Sequence, residues 1–213
     1  MGIRLFAGIS HAQMKNVVLR MGASIRLFSK SEVIVHEGIE AKWLFAVLSG
    51  CLNVYESGES GERHLIWTVE SGHLFGATLV NMHFDFYPGM AVAAVNSEVV
   101  LFDLAKIREL RHDTSYKKFF ENLDATVSER VFFCWRKLAV LSCKTTEEKF
   151  MAYLRWYVAE KGSNDVTLPF ARMEDCATFL GVTRASLSPA IGHLKARGVI
   201  QHVGRTRFRL LGR

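Results

Sequence analysis

Gly181-Val-Thr-Arg-Ala-Ser-Leu-Ser-Pro-Ala-Ile-Gly-His-Leu-Lys-Ala-Arg-Gly-Val-Ile200 is the stretch on which the reading of this chain turns. Thr183 is a residue type that caps helix N-termini, and Gly198 one that ends them, so a helix is expected up to Arg197. Its buried face is Leu187, Ile191 and Leu194. Just upstream, Glu174 to Leu180 reads as a short first helix. Small Ala177 and the turn glycine Gly181 allow the two helices to cross closely, with Leu180 inside. Downstream, Gln201 to Leu211 reads as a hairpin turning at Gly204-Arg205, where Arg207 and Arg209 alternate with Phe208 and Leu210. From about Leu168 to Arg213 the chain is therefore predicted to form a winged helix-turn-helix. Pro189 is a local conflict, since a proline inside a helix lacks an amide hydrogen and clashes with the preceding turn. The spacing predicts either a kinked first turn or a helix that starts late, with Ser188 as cap and Pro189 in its first position.

The charge distribution points the same way. From Lys144 onward there are 12 Lys and Arg against 6 Asp and Glu, whereas residues 1 to 143 carry 15 of each. The run from Arg184 to the end holds Arg184, Lys195, Arg197, Arg205, Arg207, Arg209 and Arg213 and no acid. Such an asymmetry is expected of a surface that meets a polyanion, and double-stranded DNA is the first partner it suggests. In a helix-turn-helix the start of the second helix enters the major groove. Thr183, Arg184, Ser186 and Ser188 are then the candidates near base edges, with Arg184 the natural partner of a guanine. Lys195, Arg205 and Arg207 read as phosphate contacts that set position without reading sequence.

Length and composition set the remaining bounds. The chain has 213 residues, 49% of them hydrophobic, enough for one large or two modest cores. There is no apolar run long enough for a membrane span and no signal-peptide pattern, so a cytoplasmic protein without a membrane partner is expected. Cys51, Cys134, Cys143 and Cys176 show no C-x-x-C spacing, so no structural metal is expected.

From about Ile25 to Leu104 the sequence breaks into short β-rich runs: Val33 to His36, Leu44 to Leu48, Leu52 to Tyr55, Leu65 to Val69 and Val99 to Phe102. Glycines punctuate them, and Ser57 to Gly61 reads as a hairpin tip, as in a jelly roll. A short amphipathic segment with Met14, Val17, Val18 and Met21 precedes the roll. Tyr116 to Leu141 lacks Gly and Pro and repeats apolar residues at Phe120, Leu123, Val127, Val131, Cys134, Leu138 and Leu141, the mark of one long helix. Either two such helices pair in a homodimer through those residues or one helix lies on its own sheet, and the pattern favours the dimer. A further helix starts at Thr145-Thr146 and closes near Gly162. The expected fold is α+β: a jelly-roll domain over 1–113, a dimerisation helix over 114–142 and a winged helix-turn-helix over 143–213.

The Gly181 to Ile200 stretch closely resembles the DNA-binding motif of the Crp/Fnr superfamily of bacterial transcription regulators. Val33-Ile-Val-His-Glu-Gly38, Leu48-Ser-Gly50 and Gly72-His-Leu-Phe-Gly76 follow the order of that family's cyclic-nucleotide-binding-type roll. The resemblance covers essentially the whole chain. It implies a non-enzymatic homodimer on a palindromic DNA site, acting on RNA polymerase and controlled by a small-molecule effector held between roll and long helix. The corresponding pocket candidates are Gly72, His73, Phe75, Gly76, Ala77, Tyr87, Met90, Val127 and Val131.

Departures from the family pattern narrow the effector. In the cAMP-binding members a Glu follows the second glycine of the Gly-x-x-x-Gly cassette, and an Arg lies about a dozen residues later. This chain has Ala77 at the first place and Phe86-Tyr-Pro-Gly-Met90 around the second. A buried cyclic phosphate would lack a cation, so cAMP is not expected. No cysteine precedes Cys51, which argues against the family's N-terminal iron-sulfur centre. His64, His73 and His83, with Met82 and Met90, are the side chains that could ligate a haem, though such residues ordinarily pack or face solvent. An enzymatic or metal-binding cupin is the competing class, and His83-x-Asp85 is its nearest approach to a metal motif. A regulator whose roll binds nothing is the other alternative, and the cofactor is not named by the sequence. In the second helix the family's usual Glu and second Arg are replaced by Ala185 and Pro189, so a different half-site is expected.

Overall fold

The computed structural model describes residues 3–59, 61–82, 84–170 and 172–211. It divides into two compact units, Met1–Val131 and Phe132–Arg213. The long helix is shared between them and does not stand apart as a segment of its own.

The first unit is built on two four-stranded antiparallel sheets. One has the order β1 (Ser24–Phe28), β8 (Ser97–Asp103), β3 (Trp43–Ser49), β6 (Leu74–Phe75). The other runs β2 (Val33–Val35), β7 (Met90–Ala93), β4 (Cys51–Ser57), β5 (Arg63–Glu70). The expected roll is therefore present. Strands β1, β6 and β7 have weaker sequence signals and emerge only in the structure, as do the short helices α2 (Ala77–Asn81) and α3 (Leu104–Glu109).

Strands β3 and β8 are apolar nearly throughout because both of their faces are covered. Phe45 pairs with Leu101 and Val47 with Val99 across the ladder, while Leu44 pairs with Phe102 and Ala46 with Val100 on the opposite face. All eight side chains are buried. Phe45 stacks on Phe75 at 5.7 Å inside the roll. On the other face Phe102 meets Phe6, which also meets Phe119. The N-terminal segment and helix α1 (His11–Arg20) thus act as a third layer. Helix α1 begins with a capping box between Ser10 and Gln13 and contributes buried Val17, followed by buried Met21.

Helix α4 spans Lys117–Leu141, as its periodicity predicts. In the first unit Phe119, Phe120 and Leu123 are buried in the core and Val127 packs at its edge. Asn122 Nδ2 donates to the carbonyls of Leu5 at 2.9 Å and Ala7 at 2.8 Å, tying the helix to the N-terminal segment. The expectation that Phe120 and Leu123 face a second subunit is corrected here. They are buried in the chain's own core.

The second unit begins with the last residues of α4 and adds α5 (Thr146–Lys161), β9 (Asp165–Thr167), α6 (Met173–Phe179), α7 (Arg184–Ala196), β10 (Ile200–His202) and β11 (Arg207–Leu210). Thr145 caps α5 in a box with Glu148, and Gly162 ends it in the left-handed region. Its core is aromatic: Tyr153 packs on Trp156, Phe170 and Phe179, and Phe150 packs edge-on to Phe208. Phe133 of α4 joins it against Trp156 at 5.1 Å. Strand β9 adds a third strand, outside β11, to the predicted hairpin.

Candidate nucleic-acid interface and effector domain

Helices α6 and α7 are joined by a tight turn at Gly181, whose φ of +61° is the left-handed conformation that glycine adopts without cost. Helix α7 starts at Arg184, so the late start at Pro189 is overturned: Thr183 Oγ1 accepts the Ser186 amide at 3.1 Å and fixes the first turn. Pro189 then sits inside the helix, where its missing amide hydrogen leaves one carbonyl without its helical partner. The burial of Leu187, Ala190, Ile191 and Leu194 decides this start, because a later one would rotate Leu187 away from the core.

The outward face of α7 holds Arg184, Ala185, Ser188, Pro189, Gly192 and Lys195, all exposed. Small and apolar groups occupy its middle, with charge at both ends. Ser186 is also exposed, but its hydroxyl is engaged in the cap, donating to the Thr183 carbonyl at 2.9 Å and accepting from Thr183 Oγ1. Thr183 and Ser186 thus build the helix start, and Arg184 and Ser188 are left facing out.

Three acids that precede the acid-free run in sequence fold back onto it. Glu174 lies 3.4 Å from Arg184 Nε. Glu147 takes His193 at 3.0 Å and Arg197 at 3.2 Å. Asp165 holds Arg207 in a two-pronged pair, with Nε to Oδ1 at 2.8 Å and Nη2 to Oδ2 at 3.0 Å, and receives Arg209 Nη2 at 2.8 Å as well. Hydrogen bonds from Arg207 and then Arg209 hold the Asp165 carboxyl at about 2, and the same contact raises Arg207. Lys195 and Arg205 have no acidic partner among the described residues. Asp165 was missed from sequence because it lies 42 residues from Arg207 and only the β9–β11 register brings them side by side.

In the roll, the pocket candidates are mostly packed. Phe75, Ala77, Tyr87 and Met90 are buried, and Tyr87 stacks on Phe75 at 5.8 Å, extending the stack that Phe45 begins. The Tyr87 hydroxyl donates to the Trp43 carbonyl at 2.8 Å and accepts the Trp43 amide at 2.9 Å. Burial pushes its phenol up to about 12. Gly72 and Gly76 take left-handed φ angles of +87° and +89°, and Gly76 leads into α2 at Ala77. His73 is half-buried with Nδ1 lacking a hydrogen-bond partner. On α4, Val127 is half-buried and Val131 is exposed. Arg108 closes the region after α2, donating to the carbonyls of Leu79 at 2.7 Å and of Met82 and Phe84 at 3.3 Å.

Of the haem and cupin candidates, His64 is exposed beside Glu62, Met82 is exposed and Asp85 pairs with Arg108 at 3.7 Å. His83 lies outside the described residues, as does Arg213. Among the described residues no group of three or more His, Cys, Asp or Glu is placed to hold a metal ion. No helix among the described residues is long and apolar enough to cross a membrane.

The dimer candidates on α4 separate along its length. Val131, Cys134 and Leu138 are exposed, while Leu141 is half-buried and would touch a Cβ added at Gly181. The sequence reading overlooked Phe132 and Trp135, which stand 57% and 61% exposed and stack on each other at 5.7 Å. They fall one residue off the apolar repeat, so the spacing rule passed over them.

The chain thus joins a strand roll, a long helix and a winged helix-turn-helix. Residues 25–114 match the cyclic nucleotide-binding domain family. The chain is 25% identical over 204 residues to the regulatory protein HlyX of Actinobacillus pleuropneumoniae, covering 91% of this chain and 79% of that protein. Its fold matches FixK2 of Bradyrhizobium japonicum with a TM-score of 0.73 at 20% identity, over 90% of this chain and 93% of that one. It also matches CLP, the c-di-GMP responsive global regulator of Xanthomonas campestris, with a TM-score of 0.76 at 14% identity, over 96% and 100% of the two chains. CooA of Carboxydothermus hydrogenoformans gives 0.74 at 15% identity, over 100% and 92%. In fold this chain is like those proteins, and its residues 25–114 carry the likeness to the cyclic nucleotide-binding domain.

Proposed function

We propose that the chain is a cytoplasmic transcription regulator that binds a palindromic DNA site as a homodimer and acts on RNA polymerase. The observation that carries this reading is α7: a capped helix with a buried leucine and isoleucine face and an outward face flanked by Arg184 and Lys195. Arg184 and Ser188 meet base edges, and the apolar groups of Ala185 and Pro189 beside them suit thymine methyl groups, giving a half-site unlike the family's usual one. Val131, Phe132, Trp135 and Leu138 form the dimer seam.

The wing works against a counterweight. A phosphate meeting Arg207 competes with the Asp165 carboxylate for its Nε and Nη2, so the wing of the free protein presents less positive charge than the acid-free run from Arg184 suggests. The effector is a small molecule other than cAMP, because Ala77 stands where the cAMP-binding members carry a Glu and the stretch Phe86 to Met90 offers no cation for a cyclic phosphate. Micromolar binding of cAMP in a calorimeter would overturn that exclusion.

Selection of sites from randomised duplex DNA by the purified protein tests the reading, with recovery of a two-fold palindrome expected. Arg184→Ala should weaken the selected site by about 1 to 3 kcal/mol and relax one base position. Arg207→Ala should weaken all sequences alike and lower the salt slope by about one. Asp165→Asn should strengthen binding to all sequences and steepen the salt slope. With its carboxyl at about 2, Asp165 stays ionised from pH 8 down to about pH 4, so this gain should be flat between pH 6 and pH 8. Equal losses for Arg184→Ala on selected and random DNA would contradict its base-reading role.

A further inference from the structure

The first unit contains a groove of about 920 Å³ on the outer face of the β1-β8-β3 sheet, away from the interior of the roll. Its walls are Phe6, Met14, Val18, Ile25, Val100 and Phe102 among others, contributed by the N-terminal segment, α1, β1 and β8. The volume lies within the range of small-molecule sites, roughly 300–1,000 Å³. One charged side chain lines it, Arg4, and no acid does. Ile25 is 61% exposed, so the groove opens beside the edge strand β1.

Arg4 has a second engagement. Its Nη1 lies 2.6 Å from Glu129 Oε2 on α4, with both side chains more than half exposed. An ion pair this open to water is held weakly and is readily exchanged for another anion. The segment that carries Arg4 is itself fastened to α4, by Asn122 at Leu5 and Ala7 and by the Phe6–Phe119 contact.

We propose that this groove binds an amphipathic small molecule with an apolar chain or ring and an anionic head, the apolar part lying between α1 and the sheet and the head taken by Arg4. The anion displaces Glu129 from Arg4, so occupancy changes what the N-terminal segment holds on α4. The occupant is a free anionic amphiphile and not a membrane surface, because the apolar walls form a recess and a single cation stands at the rim.

Decanoate is a suitable probe, with decanol and decyltrimethylammonium as neutral and cationic counterparts of the same chain. Titration calorimetry on the full chain, below the concentration at which decanoate aggregates, should show one molecule per chain, with decanoate tighter than either counterpart. Arg4→Gln should weaken decanoate by about tenfold or more and leave decanol unchanged. Glu129→Gln, which removes the competing carboxylate, should tighten decanoate severalfold. These two substitutions lie at exposed positions and move affinity in opposite directions, which damage to the fold would not do. Val18→Trp, which fills the groove, should abolish binding of both decanoate and decanol. The proposal is overturned if decanoate does not saturate, if the cation binds as tightly as the carboxylate, or if Arg4→Gln and Val18→Trp leave its affinity unchanged. None of these readouts involves DNA, so their failure would leave the regulatory reading standing.

Discussion

The two halves of α4 share one apolar rhythm and meet opposite surroundings. Toward its start, Phe119, Phe120 and Leu123 are closed into the core of the first unit. Toward its end, Val131, Phe132, Trp135 and Leu138 are each more than half exposed, while Phe133 and Val140 on the other side of the helix pack into the second unit. Spacing reports that a helix has an apolar side. It does not report whether that side is satisfied within the chain or left for another.

The contrast breaks most visibly at Leu123, which is fully buried. Leu123→Ala should cost about 2 to 5 kcal/mol in the denaturant-measured stability of the first unit, and a loss below 1 kcal/mol would mean that this half of the helix is not core. Trp135→Ala tests the other half. It should leave the unfolding of the dilute chain nearly unchanged and weaken self-association by about 2 to 4 kcal/mol, as sedimentation over a dilution series would show. A wild-type chain that sediments as a monomer at all concentrations would remove the seam altogether.

The smallest effect sharpens the same contrast with thiols. Cys134 lies exposed on the open half of α4, whereas burial, with the charge of Glu70 adding to it, pushes the Cys51 thiol up to about 12. The thiolate is the reactive form, so Cys51 should stay slow toward an alkylating reagent from pH 7 to pH 10. Cys134 should label faster at low protein concentration and slow severalfold where the dimer forms. Labelling of Cys134 that ignores protein concentration would place the seam elsewhere.

Much of the architecture was legible because strong local signals carried it. The Thr145 cap, the Gly181 turn and the periodicity of 117–141 depend on neighbours in sequence, and each is where the sequence reading put it. Strands β1, β6, β7 and β9 are short, and pairing with partners far along the chain defines them. The site was legible by residue type but not by state. Arg184 and Arg207 stand exposed in the outward positions expected of them, yet nothing near them in sequence announces Glu174 or Asp165. The pocket expected around Ala77 and Tyr87 could not be judged from composition, since Phe45, Phe75 and Tyr87 line a cavity or fill one with equal ease. Pro189 misled because a local penalty was weighed without the compensating burial of Leu187 and Ile191.

The third layer has a practical corollary for anyone dissecting this protein. The stretch that matches the domain family, residues 25–114, is shorter than the core it belongs to. Leu5, Val17 and Met21 lie before it, Phe119, Phe120 and Leu123 after it, and all six belong to the same core. A fragment cut at the borders of similarity would strip Phe102 and Leu44 of their cover and turn the centre of the sheet into an adhesive surface. The useful border is where apolar area is closed, and that border lies part-way along a helix.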